Sequence, residues 1–232
     1  MWQEVRERLH PEGLEIVTVA LDTDGPETAR PFVESAKAEH PSLIDEAHLV
    51  DELFGVVNVP NGVWIDEAGL IVRPAEPAFP GRNPILETFE KLDTSNLPPE
   101  MAEVITEAKK IKTDPEGYLA MIEDWVANGS ASRFALPPDQ VVARSQARPP
   151  AAAEAAAHFE LGEYLHKAGR IEAAQGHWRQ AHRLQPDNWT YKRQAWNLVS
   201  PVVQGPTDVY DSSWFEDVKK IGAENYYPPV VP

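Results

Sequence analysis

The sequence predicts an α/β domain over residues 1–95 followed by an all-α region, and three observations lead to that expectation. Leu14 to Leu21 (LEIVTVAL) is an unbroken apolar run rich in β-branched residues. It is too short for a helix and too continuous for a half-exposed strand, so it reads as a buried parallel strand. Gly62–Ile65 and Leu70–Arg73 flank Asp66-Glu67-Ala68-Gly69, the pattern of an antiparallel hairpin and its turn. From Pro98 onward the apolar residues recur at helical spacing.

Each element follows from local chemistry. Trp2, Val5 and Leu9 fall on one face of a short helix, which Pro11-Glu12-Gly13 stops. After the first strand, Asp22, Thr23 and Asp24 precede Gly25-Pro26, a proline at a helix start. That helix runs to about Glu39 with Ala29, Phe32, Val33 and Ala36 on one stripe. Leu43-Ile44 is a short strand, and Ala47–Phe54 a short helix that Gly55 ends. After the hairpin, Pro74, Pro77, Pro80 and Pro84 mark a loop. A helix over about 85–93 follows, with Ile85, Leu86, Phe89 and Leu92 on one side.

Beyond it, Met101, Val104, Ile105, Ala108 and Ile111 define one amphipathic helix, and Tyr118, Leu119, Ile122, Trp125 and Val126 another. Leu136-Pro137-Pro138 and Arg148-Pro149-Pro150 bracket a linker-like stretch. Helices are expected over 152–167, 171–184 and 188–199. The organisation is therefore 1–95, a helical linker region 96–150, helices 151–200, and an irregular aromatic and proline-rich tail 201–232. The tail is expected to lay Tyr210, Trp214, Phe215, Tyr226 and Tyr227 on those helices.

Composition narrows the function classes. The chain of 232 residues is 42% hydrophobic and 25% charged, as in globular proteins. Its formal net charge of −16 repels phosphate backbones and anionic lipid, so neither nucleic acid nor membrane is an expected partner. No apolar run approaches a membrane span, and residues 1–8 carry no apolar leader core, so the expected compartment is the cytoplasm. There is no cysteine. Disulfides, thiolate zinc sites and cysteine nucleophiles are thereby excluded. The seven histidines form no HExxH pair and are expected at surface or capping positions, so no metal and no cofactor is expected. Asp22 and Asp24 fit helix capping as well as a carboxylate site. The pairs Asp45-Glu46 and Asp51-Glu52 read as solvated faces.

The segments EIVTVALD (15–22), HPSLIDEAHLVDELFGVVNVP (40–60) and NGVWIDEAGLIVRP (61–74) together resemble the thioredoxin-like redoxin family, in the branch of the TlpA-, ResA- and AhpC/TSA-type proteins. The resemblance covers about 90 residues and implies an α/β thioredoxin-like domain, incomplete here. It also implies a thiol-disulfide oxidoreductase or antioxidant peroxidase whose substrate would be a thiol or disulfide protein, or a peroxide. Pro60 matches the family's cis-proline. The backbone of Val59 then corresponds to the part that pairs with substrate, and Asn61 stands where many relatives have threonine. Val59, Pro60 and Asn61 are thus the candidate substrate-binding residues; a plain tight turn entering a strand is the alternative to this preferred reading.

The departure from the family is decisive for chemistry. Its first core strand and Cys-x-x-Cys motif precede the first long helix, and this chain begins inside that helix. No catalytic residue is expected, because the attacking species is a thiolate and the chain has none. Without the central strand, the strands at 14–21 and 62–65 each lose a partner. Either another chain supplies it, or the sheet rearranges, or Met1 is not the true start. The last is the preferred expectation, since relatives resembling ResA place selenocysteine, read from a UGA codon, in this motif.

Residues 155–188 are similar to one tetratricopeptide repeat of 34 residues, through Leu161-Gly162, Gly169, Ala174, Trp178, Ala181 and Pro186. Only one copy is present, so a helical packing or self-association module is expected before a peptide-binding groove. The two function classes are a redox protein inactive as it stands, and a non-enzymatic protein-binding or scaffold module.

Overall fold

The computed structural model describes residues 1–81, 84–145, 147–200 and 203–231. Of Pro84 and Ile85 only the backbone is described, so the expected place of Ile85 on its helix stripe lies outside the described side chains. The tail positions Pro201, Val202 and Pro232 also lie outside the described residues.

The chain runs α1 (Trp2–Leu9), β1 (Thr18–Leu21), α2 (Pro26–Ala36), β2 (Ser42–Asp45), α3 (Leu49–Phe54), β3 (Asn61–Ile65), β4 (Ile71–Pro77) and α4 (Pro84–Lys91). It continues as α5 (Pro99–Ala108), α6 (Pro115–Asn128), α7 (Pro138–Arg144), α8 (Pro150–Lys167), α9 (Ile171–Leu184), α10 (Trp189–Val199) and α11 (Trp214–Ile221). It is mostly helical.

The expected α/β thioredoxin-like domain is not formed. Strand β1 pairs in parallel with β2, from Thr18↔Ser42 to Leu21↔Asp45, and β3 pairs antiparallel with β4. The result is two separate two-stranded sheets. The physical reason lies between them, where among the described residues no strand bridges β1 to β3. The first strand is also shorter than expected. Leu14–Val17 stay irregular because β2 begins only at Ser42 and offers them no ladder partner.

With only two strands, the β1–β2 sheet is too narrow to cover a helix. The apolar stripe of α2 is accordingly unburied, with Phe32 76% exposed. The α3 residue Leu53 is exposed to a similar extent, 77%. The hairpin forms as expected and runs to Pro77. Asp66 Oδ1 accepts from the amides of Ala68 (3.0 Å) and Leu70 (2.8 Å), and Gly69 takes φ +79°, where a side chain would be strained.

One core gathers Val5 and Leu9 of α1, Ile16, Trp64 of β3, Ala78, and Tyr118, Met121 and Ile122 of α6. Segment 96–150 thus supplies part of the wall behind the hairpin. Within it, the stretch read as a linker contains α7, which buries Val141 and is tethered by the Leu136 amide to the Val72 carbonyl (2.9 Å).

The helical region is present. Helices α8 and α9 fold back on each other and share a second core with α10, including Phe159, Trp178, Trp189, Tyr191 and Trp196. Phe159 and Tyr191 stack at 4.2 Å. One helix pair does not by itself assign a repeat family. The tail is less irregular than expected. Ser213 and Glu216 cap α11 reciprocally, each side chain bonding the other's amide (3.3 and 3.1 Å), a capping box that Ser-x-x-Glu spacing encodes. Tyr210 and Tyr226 are buried against the helices. Among the described residues no helix is long and apolar enough to cross a membrane.

Candidate functional site: a cleft between two sheet edges

The unpaired edges of β1 and β3 open onto one cavity of about 590 Å³. Its β1 wall shows the strand's own alternation. The Thr18 amide bonds the Pro41 carbonyl (3.0 Å) and the Asp22 amide the Asp45 carbonyl (3.3 Å), so these amides turn toward β2. In a parallel ladder alternate residues turn their backbone groups to opposite sides. Val17, Val19 and Leu21 therefore direct theirs away from β2, and all three line the cavity, as do Asn61–Ile65 of β3. No described residue of β2 or β4 lines it.

The rest of the lining is largely apolar. Trp2 comes from α1, Tyr118, Ile122 and Trp125 from α6, and Val50 and Phe54 from α3. Trp64 stacks on Trp125 with ring centroids 4.9 Å apart, and its indole donates to the Tyr118 hydroxyl at 3.0 Å. Burial pushes the Tyr118 phenol up to about 12, so it stays a neutral hydroxyl.

Val59, Pro60 and Asn61 all lie on this lining, and the Val59–Pro60 bond is cis. The Val59 backbone is engaged from within the chain. Its amide donates to Asn58 Oδ1 (2.9 Å) and its carbonyl accepts from the Tyr227 hydroxyl (3.0 Å). Asn58 Nδ2 donates in turn to the Tyr226 carbonyl (3.1 Å), so the tail is fastened to this loop. Asn61 Oδ1 is a buried acceptor with no hydrogen-bond donor among the described residues.

A buried polar cluster stands beside the cleft, and sequence reasoning missed it. His48, expected at a surface or capping position, is the N-cap residue of α3 yet buried, and Asp51, expected on a solvated face, is buried beside it; each is 2% exposed. His48 Nδ1 meets Asp51 Oδ2 at 2.9 Å and its Nε2 meets Gln194 Oε1 at 3.3 Å. Both ring nitrogens thus face acceptors, which suits the imidazolium form. Burial pulls the His48 pKa down, but the Asp51 hydrogen bond and charge, with Glu163, outweigh it and the net shift is upward.

Burial raises the Glu163 carboxyl to about 7, against smaller opposing effects of His48 and Lys167. Glu163 Oε1, Gln194 Nε2 and Thr23 Oγ1 have no hydrogen-bond partner among the described residues. The His48-x-x-Asp51 spacing at the start of α3 was the available signal, but burial of both groups by α8 and α10 is a tertiary fact. Asp51 also lines a second, more polar cavity of about 530 Å³ with Tyr191, Arg144 and Arg148. There Arg148 is ion-paired to Glu52.

Among the described residues no group of three or more histidine or acidic side chains converges as a metal site. No family model, curated protein or solved structure matches the chain. The cleft joins two strand edges to a largely apolar lining.

Proposed function

We propose that this chain is a non-enzymatic binding module that takes up an extended polypeptide strand between β1 and β3. The observation that supports it is the cleft itself, in which two sheet edges from different sheets line one apolar space. An extended segment there would pair with an edge on each side, as in recognition by strand addition. The walls supplied by α1, α6 and α3 favour an occupant that is apolar along its whole length, as strands covered on both faces are. The strands that would receive it are four and five residues long, which sets the occupant's paired length at about five residues.

A redox role for the assembled module is the second reading, favoured by the position of Val59, Pro60 and Asn61 on the same cleft. The chain contains no cysteine, so a thiol or selenol nucleophile would have to arrive on the strand that fills the cleft.

The test uses a capped synthetic peptide of seven alternating valines and alanines flanked by lysine pairs, which suit the chain's negative charge. Binding is expected to shift the fluorescence of Trp2, Trp64 and Trp125 and to slow amide exchange at Val19 and Leu21. No protection of these amides at millimolar peptide would overturn the reading. Peroxide consumption by the chain with a cysteine-bearing peptide, above that of the peptide alone, would favour the redox role.

A further inference from the structure

We propose that the second cavity, bounded by α3, β4, α7, α8 and α10, binds a carboxylate carried on a small apolar body, with Arg144 and Tyr191 as its hydrogen-bond donors. The cavity holds about 530 Å³, within the range of about 300–1,000 Å³ that small-molecule sites occupy. Leu53, Val57, Ile71 and Ala152 give it apolar walls, and its polar groups are few.

Tyr191 is the observation that points to a ligand. It is only 4% exposed, and its ring is stacked on Phe159 at 4.2 Å. Its backbone is fixed as well, because the Asn188 side chain at the start of α10 accepts from the Tyr191 amide (3.1 Å). The hydroxyl nevertheless has no hydrogen-bond partner among the described residues. It is not sealed in the protein either, since Tyr191 lines the cavity. Burial, with the charges of Asp51 and Glu52, pushes its pKa up, so the group stays protonated and offers a donor.

The charges decide what kind of ligand fits. Four charged side chains line the cavity: Asp51, Glu52, Arg144 and Arg148. Asp51 is held by His48 at 2.9 Å and Glu52 by Arg148, so both carboxylates are compensated within the chain. Arg144 is not. Its guanidinium donates to the Val231 carbonyl (3.1 Å) and has no ion pair among the described residues. Helix α8 also opens onto the cavity through Pro149 and Ala152, with neither a side-chain cap nor an acidic residue in its first turn. The positive end of its dipole is therefore uncompensated there. A free guanidinium, a hydroxyl donor and a bare helix N-terminus select an anion, and the planar fork of arginine matches a carboxylate. A phosphate group would bring up to two charges and three oxygens, more than these donors satisfy. The chain's net charge of −16 is screened beyond about 8 Å at physiological salt, so the groups on the cavity wall set the sign of its ligand.

The experiment is calorimetric titration of the full chain with phenylacetate, and in parallel with phenylacetamide, which has the same body without the charge. A tripeptide with an acetylated N-terminus and a free leucine carboxylate forms a third arm, separating a chain terminus from a free acid as the source. One site with a Kd of about 1 mM or tighter is expected for an acid, and the tighter-binding acid identifies the source. The amide should bind at least about tenfold more weakly. Y191F keeps the stacked ring and removes only the hydroxyl; it and R144Q should each weaken acid binding by about fivefold to tenfold. R144Q should in addition shrink the difference between acid and amide, which a merely structural role would not do. Circular dichroism verifies that both variants stay folded. Absence of saturable binding of either acid up to about 10 mM would overturn the proposal. Equal binding of phenylacetate and phenylacetamide would do the same, as would undiminished binding in both variants. None of these results bears on the strand cleft, whose lining contains neither Arg144 nor Tyr191.

Discussion

The indole of Trp64 donates to the hydroxyl of Tyr118 across 3.0 Å, joining the hairpin strand β3 to helix α6 at the floor of the cleft. Trp64 is also covered by the Arg73 guanidinium, 5.4 Å from its ring centroid. Both Trp64 and Tyr118 are buried, so the bond has no competing water. Y118F should leave the indole N–H without an acceptor and cost about 1–3 kcal/mol in urea unfolding. An unchanged midpoint would mean that the hydroxyl contributes nothing to holding β3 in place.

Val19 offers a direct test of the cleft. Its amide points away from β2, so proline there removes no bond of the existing ladder. V19P should keep the thermal midpoint within a few degrees while losing the amide pairing offered to an added strand. Affinity for the valine–alanine peptide should fall by about tenfold. Equal affinity in V19P and the parent chain would show that β1 does not receive the strand.

The cluster around His48 predicts a pH dependence. Burial raises the Glu163 carboxyl from 4.5 to about 7, so the folded chain binds this proton more tightly than the unfolded chain. That contribution is fully present below pH 4.5 and is lost as the pH rises through 7. The upward shift of His48 acts in the same sense, its contribution holding below 6.5 and disappearing above the folded value. E163Q should flatten the decline and gain up to about 3 kcal/mol over the parent chain at pH 8. A parent chain whose stability is constant from pH 5 to 8 would refute the assignment.

Gly162 sits where α8 crosses α9. A Cβ there would meet the Trp178 indole, with Cδ1 at 2.5 Å. Trp178 is fully buried and cannot move aside freely. G162A should therefore destabilise the helical region by about 1–3 kcal/mol, despite alanine's better helix propensity. A stabilised G162A would show that the helices separate more easily than their packing implies.

How much was legible in the sequence depended on the range of the interaction that decides each feature. The hairpin turn follows from Asp66 and Gly69, and α6 and α9 follow from their apolar spacing, because neighbours within a few residues decide them. The capping box of α11 was equally local, but it was hidden in a tail read from its prolines. Val59, Pro60 and Asn61 were found through a resemblance, and they lie on the cleft. The burial of His48 and Asp51 was invisible, since nothing local separates a solvated Asp51-Glu52 pair from one covered by α8 and α10.

The sequence by itself determined the hairpin turn, the apolar spacing of helices such as α6, and the absence of any cysteine thiol. Only the tertiary structure decided that the strands remain two separate pairs and that an apolar cleft lies along both free edges. It alone places Arg144 and Tyr191 on the wall of one cavity. A strand's pairing and a side chain's burial depend on segments many residues away, whose positions are set by the packing of the whole chain and not by local sequence.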